Sequence, residues 1–344
     1  MDRVSLFLAI IGLIVGPLAG SAQAQDDLPA PLGEPRIGEL VTVDGYTMRI
    51  HCVGAHPDRP TVIFDAGAGA TGLVWYYLQQ QLADEARSCS YDRAGNGWSE
   101  ARPEARTIDQ INTELDALLR AAGEDGPYLL VAHSLMGLSI PVFAADHLDA
   151  VVGVVLVDPT PVDPLPQPNP LQMLTLAPLM NMIGSPEIQE QAFDMQLAQI
   201  AERFADEPDL EAVLAAARAG AQYTVGMDEG AEFRAGSEET AARLEAALTA
   251  LRGTSFVIIT AGAQLEADIE PMLGLLDVTD EMAPSLTTLR GYFADTAETA
   301  AASHARAAER AAGEQVFAPN SGHSVMFYEP EIILGVIRDI LADG

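Results

Sequence analysis

Apolar and polar positions along the chain alternate between two periods. Short runs dense in β-branched and apolar residues recur at Gly38–Val43, Thr47–Val53, Thr61–Asp65, Ser88–Tyr91, Tyr128–Ala132, Val151–Val157, Ser255–Thr260 and Gln315–Ala318. Most are bounded by Gly, Pro or Asp, as buried strands are. Between several of them the period lengthens to that of a helix. In Thr107–Ala122, for example, Ile108, Ile111, Leu115, Leu118 and Leu119 share one face. Strands alternating with helices predict an α/β fold with a doubly wound, mainly parallel sheet. One stretch breaks the alternation. From about Pro161 to Arg252 no strand pattern occurs, and helical patterns fall at Glu187–Ala205, Leu210–Ala219 and Ser237–Leu251, the last with Ser237 as N-cap. This stretch, 161–252, reads as an inserted helical lid. The Ala-rich Thr296–Ala312 reads as an ordinary helix.

The amino terminus has a different pattern. Arg3 precedes the apolar run Leu6–Leu18, and Ala22-Gln23-Ala24 forms an A-x-A cleavage site. The apolar run falls short of the roughly 20 residues a spanning helix needs. Residues 1–24 are therefore expected to be a signal peptide, 25–35 a linker and 36–344 the folded domain, in the periplasm or secreted, with no membrane span after cleavage. At 344 residues with 49% hydrophobic composition the chain can bury a large core. Its net charge is −32, and all 18 basic residues are Arg. That excludes a catalytic lysine or a lysine-bound pyridoxal, and makes nucleic acid an unsuitable partner because no basic patch can form. Cys52 and Cys89, the two cysteines, are consistent with one disulfide in an oxidising compartment or with two buried thiols.

The chemistry concentrates at two places. Tyr128–Ala132 runs into His133-Ser134-Leu135-Met136-Gly137, a strand entering a small-x-Ser-x-x-Gly turn with Ala132 at the small position. Such a turn exposes a serine hydroxyl when small residues let the backbone close around it, although Met136 stands where a small residue is usual. Serine is a weak nucleophile and needs a base within hydrogen-bond reach. His323, in the loop Pro319-Asn-Ser-Gly-His323-Ser after the last strand, is placed to supply it. His133, next to Ser134 in sequence, is expected to point away from it. A rival signal is Gly67-Ala-Gly69-Ala-Thr-Gly72 after a strand, with Asp92 20 residues beyond Gly72. It matches the dinucleotide fingerprint of an NAD-type oxidoreductase but leaves Ser134 and His323 unexplained.

Five segments together, Thr61–Gly69, Tyr91–Glu100, Ala132–Gly137, Leu156–Pro159 and Ser321–His323, make the chain resemble the α/β-hydrolase superfamily over most of its mature length. The resemblance implies an eight-stranded, mainly parallel sheet flanked by helices, a Ser-acid-His triad and an oxyanion hole. Its matching backbone donors are Ala68 and Leu135, with Asp65 in a position where His is often found. Asp158, after Val151–Val157, lies between Ser and His in chain order. The more usual acid position follows the next strand, where Glu266 and Asp268 stand, so the acid is left open among the three. Cys52 and Cys89 fall on strands that are neighbours in that sheet, which makes a disulfide between them feasible. The expected reaction is acyl transfer on a small-molecule, apolar carboxylic ester, with no metal or organic cofactor. A proline-iminopeptidase-like aminopeptidase and a ligand-binding fold without catalysis are the alternatives. Met173, Leu174, Leu176, Leu179, Met180, Met182 and Ile183 either line an acyl pocket or form the core of the lid.

Overall fold

The computed structural model describes residues 37–207, 209–221 and 237–343. The expected signal peptide and linker lie outside the described residues, as does 222–236 of the expected lid. Eight strands form one sheet: β1 (Glu39–Val43), β2 (Tyr46–Val53), β3 (Thr61–Asp65), β4 (Ser88–Tyr91), β5 (Tyr128–His133), β6 (Val151–Val157), β7 (Ser255–Ala261) and β8 (Glu314–Ala318). Their spatial order is β1-β2-β4-β3-β5-β6-β7-β8. The β1–β2 and β2–β4 pairs are antiparallel and the others parallel. This is the mainly parallel, doubly wound sheet that the alternating pattern predicts. The central strands β3 and β5 are buried at every position, because helices cover both faces, which is why they read as unbroken apolar runs.

The helices named below are α1 (Tyr76–Leu82), α2 (Ile108–Ala121), α3 (Ile140–Asp146), α4 (Pro170–Ile183), α5 (Pro186–Arg203), α6 (Leu210–Ala221), α7 (Ser237–Ala250), α8 (Ala283–Ala311) and α9 (Pro330–Asp343). On one face, Ile111, Leu115 and Leu118 of α2 join Phe143 of α3 and Leu244 and Leu248 of α7 in one core. On the other, Leu78 and Leu82 of α1 pack with Ile333 and Ile337 of α9. Thr107 caps α2, its hydroxyl accepting from the Gln110 N–H.

Cys52 and Cys89 stand directly opposite in the β2–β4 ladder and are joined as a disulfide. The stretch expected as a lid divides. Helix α7 packs with α3 beneath the sheet rather than over its edge. Helices α4 to α6 do not join that core. Leu176, Leu179 and Ile183 of α4 pack against Ile269, Met272, Leu289 and Phe293. Met180 and Met182 join this helix-on-helix core, held from a region well beyond the insertion in sequence, whereas Leu174 is exposed and takes no part in it. Helix α8 begins at Ala283, 13 residues before the expected Thr296.

Candidate active site

Ser134 follows the last residue of β5, on a tight turn that leads into a 3-10 segment, Ser134–Gly137. Its φ is 55°, left-handed backbone that a non-glycine residue adopts at a cost of about 1–3 kcal/mol. Two glycines make the turn possible. A Cβ on Gly67 would come 3.1 Å from Ser134 Cβ, and one on Gly137 would come 2.3 Å from Pro159 Cβ. Met136 does not crowd the turn, because its side chain is buried in the core with Leu130 and Ile140.

His323 reaches Ser134 from the loop after β8. Its Nε2 lies 2.9 Å from Ser134 Oγ and its Nδ1 lies 2.7 Å from Asp158 Oδ2. Asp158, at the end of β6, also has positive φ, 40°. Its Oδ1 accepts the Ala261 N–H at 3.0 Å, and its Oδ2 also accepts from Gln264 Nε2 at 2.7 Å. Burial alone would raise the Asp158 carboxyl, but the hydrogen bond and charge of His323, with His304 and the Ala261 N–H, outweigh it and hold it below its ordinary value. An ionised Asp158 accepts only, so Nδ1–H of His323 donates to it. Nε2 is then left to accept the Ser134 hydroxyl proton.

Of the three acids left open, Asp158 is the one on the His323 ring. Glu266 is exposed. Asp268 bonds to the same residue differently: its Oδ2 accepts the His323 main-chain N–H at 2.7 Å, and its Oδ1 lies 3.3 Å from the Tyr328 hydroxyl. Burial pushes the Asp268 carboxyl up to about 6, against the lowering effect of that N–H. Gly322 makes room for it, since a Cβ there would lie 2.0 Å from Asp268 Oδ1.

His133 has a part that its place in the sequence does not suggest. Its ring lies beside that of His323, centroids 4.5 Å apart, and its Nε2–H donates to the His323 carbonyl at 2.9 Å. Burial and the neighbouring His323 push it down to about 3, so it is a neutral donor. His323 is thus held at ring, amide and carbonyl together. A further histidine that the sequence left unassigned, His304, is buried, its Nε2 donating to Pro159 O at 2.7 Å behind Asp158.

The loop carrying Ala68 is braced from β4. Arg93 is buried and donates to Asp65 Oδ1 at 2.7 Å, Ala66 O at 2.5 Å and Gly67 O at 2.8 Å. Asp65, the departure from the usual His, is therefore the ion-pair partner of Arg93. Asp92 holds the other end, accepting the Gly72 N–H at 2.8 Å, the Trp98 N–H at 3.1 Å and Arg49 Nη1 at 3.1 Å. It is fully buried and engaged on both oxygens. That leaves no carboxylate for a ribose, and the glycine-rich segment serves as the loop beside Ser134.

Residues 62–334 match the model of the "Alpha/beta hydrolase family". "Uncharacterized protein YqjL" of Bacillus subtilis (strain 168) is 38% identical over 99 residues, which cover 29% of this chain and 39% of that protein. A putative carbamate hydrolase, RutD, of Caulobacter sp. (strain K31) is 31% identical over 116 residues, covering 33% of this chain and 43% of that protein. The chain thus spans well under two thirds of the curated relatives it matches. Among solved structures, a thermophilic esterase from Thermogutta terrifontis superposes with a TM-score of 0.52 at 18% identity, covering 88% of this chain and 97% of that one. An enol-lactonase from Burkholderia xenovorans LB400 gives 0.52 at 15%, covering 88% and 99%. With the family model spanning most of its length, the chain belongs to the alpha/beta hydrolase family.

Proposed function

We propose that this hydrolase is a serine esterase that cleaves carboxylic esters through an acyl-enzyme, with Ser134 as nucleophile, His323 as general base and Asp158 as the triad acid. The observation that carries the reading is the continuous relay Ser134 Oγ, His323 Nε2, His323 Nδ1, Asp158 Oδ2, at 2.9 and 2.7 Å. In it, Oγ attacks the ester carbonyl as its proton passes to Nε2. The Ala68 and Leu135 N–H groups hold the resulting oxyanion, where losing one donor costs on the order of 10²–10³ in rate. The C–O bond to the alcohol breaks as Nε2 returns the proton to the leaving oxygen. Water then repeats the sequence on the acyl-enzyme.

The setting proposed is extracytoplasmic, after removal of residues 1–24. The Cys52–Cys89 disulfide supports it, because such bonds persist in oxidising compartments. Among the described residues no helix is long and apolar enough to cross a membrane.

A fluorophosphonate probe, combined with an ester, amide and lactone panel, tests the reading. Labelling at Ser134 and ester turnover, both absent from folded Ser134→Ala and His323→Ala proteins, is the expected result. Amide turnover confined to substrates with a free amino terminus would favour an aminopeptidase. No labelling at all would leave a ligand-binding fold.

A further inference from the structure

One cleft opens beside the relay. It lies between the loop after β3, the start of α1, and the facing sides of α5 and α6. Gly69, Ala70 and Thr71, which line its inner end, directly follow Ala68. That loop touches the nucleophile, as the space at Gly67 shows. Phe327, four residues after His323, also lines it. The cleft therefore borders both the loop that carries Ala68 and the segment that follows His323.

Its walls are apolar. Leu197 and Ile200 of α5 face Val213 of α6, and Tyr77 lies between them with its ring stacked on Phe204, centroids 3.9 Å apart. Burial, with Glu207 and Asp209 nearby, pushes the Tyr77 hydroxyl up to about 12, so it is neutral at working pH. Among the described lining residues there is no Asp, Glu, Arg or His. A carboxylate on a substrate chain would meet no counter-ion in the lining itself, and Arg218, over the Phe193 ring, is already paired with Asp194, so the carboxylate's entry is costly. The chain's net charge of −32 adds repulsion against an anion.

We infer that this cleft binds the acyl chain of the substrate, and that it selects neutral aliphatic chains over acetyl and over chains ending in a carboxylate. The inference rests on the esterase reading for its kinetics, but the binding it claims does not require turnover. Helices α5 and α6, rather than the methionine-rich α4, then set the specificity.

Two readouts test it. The first is kcat/KM on p-nitrophenyl acetate, octanoate and the half-ester of suberic acid, which has the same chain length with a terminal carboxylate. Wild-type protein should prefer octanoate over acetate by at least about tenfold, and over the suberyl half-ester by about a hundredfold, as apolar contacts of this kind allow. Val213→Trp, which fills the cleft, should lower the octanoate to acetate ratio at least about thirtyfold. Val213→Ala, the milder change, should shift the preference to longer chains. The second readout is calorimetric titration of octanamide, a neutral mimic that is not an ester, into Ser134→Ala protein. Binding is expected, with loss in the Ser134→Ala, Val213→Trp double variant. Octanamide binding without ester turnover would fail the esterase reading and keep the cleft. Turnover with equal rates on all three esters, or an unchanged ratio in folded Val213→Trp protein, would overturn the cleft and leave the esterase.

Discussion

Asp158→Asn changes one atom and should inactivate the relay by moving a proton. The Ala261 N–H fixes the orientation of the new amide, because its oxygen must stay where Oδ1 accepts that bond. The amide nitrogen then occupies the place of Oδ2, facing two donors, His323 Nδ1–H and Gln264 Nε2. Leaving buried donors opposed costs about 1–3 kcal/mol. Gln264 can relieve its share by flipping to present its oxygen. His323 can do so only by shifting its proton to Nε2, so that Nδ1 accepts. An Nε2–H aimed at Ser134 cannot take the hydroxyl proton. The same wrong-tautomer effect in a serine-protease triad costs about 10⁴ in kcat, and at about 1.36 kcal/mol per decade that is about 5 kcal/mol of barrier. The assay is steady-state ester hydrolysis beside the rate of fluorophosphonate labelling, on protein whose melting curve remains cooperative. Both should fall by about three to four orders of magnitude, to the background left by binding and the oxyanion donors. Activity within tenfold of wild type would refute the argument. So would an equal loss in Asp268→Asn protein, since that carboxylate holds the His323 amide and not its ring.

Asp268→Asn should instead act on stability. The folded pKa of Asp268, about 6, lies above the unfolded value, so the stabilisation it gives is full below about pH 4 and is lost as pH rises through 6. Urea melts from about pH 4 to 7 should show the variant gaining on wild type by up to about 3 kcal/mol over that window, because Asn keeps the acceptor without the buried charge; a constant difference would contradict the shift. Arg93→Met removes the buried ion pair to Asp65 and should cost about 3–5 kcal/mol of stability. It also frees the carbonyls of Ala66 and Gly67, so kcat should fall by roughly 10²-fold with a much smaller change in KM, as for a weakened oxyanion hole. An unchanged kcat in folded protein would show that the brace does not govern the hole. Removing the disulfide by a Cys52→Ser, Cys89→Ser double substitution opens a link across a 37-residue separation and should cost about 4 kcal/mol in a denaturant melt. A loss below about 1 kcal/mol would mean that the ladder around it already fixes the two strands.

The sheet is legible in the sequence because its central strands, such as β3 and β5, are buried on both faces, and an unbroken apolar run between turn residues has few other uses. Ser134 and His323 are legible because each sits in a short local pattern next to a strand end. The acid is not. Asp158 and Asp268 both end up buried against His323, and only the path of the chain decides which one meets the ring and which the amide. The part played by His133 is hidden for a related reason. Its neighbour's chemistry says nothing of a carbonyl 190 positions away that its own ring can reach. The cleft leaves no trace in any single segment, since it forms between residues 69–77, residues 193–217 and Phe327. The start of α8 is blurred by Pro284 and Gly291, which dilute the helical signal before the alanine-rich stretch.

The turn at Ser134 and the turn at Asp158 are tied to each other as well as to His323. The Thr160 N–H donates to Ser134 O at 2.9 Å, and Gly137 leaves room for nothing larger against Pro159. For anyone transplanting this site onto another scaffold, residues 132–137 and 158–160 form one indivisible cassette. Grafted singly, either piece would arrive without the neighbour that helps hold its backbone shape, so recombination crossovers between β5 and β6 should yield inactive chimeras unless both parents share that pairing.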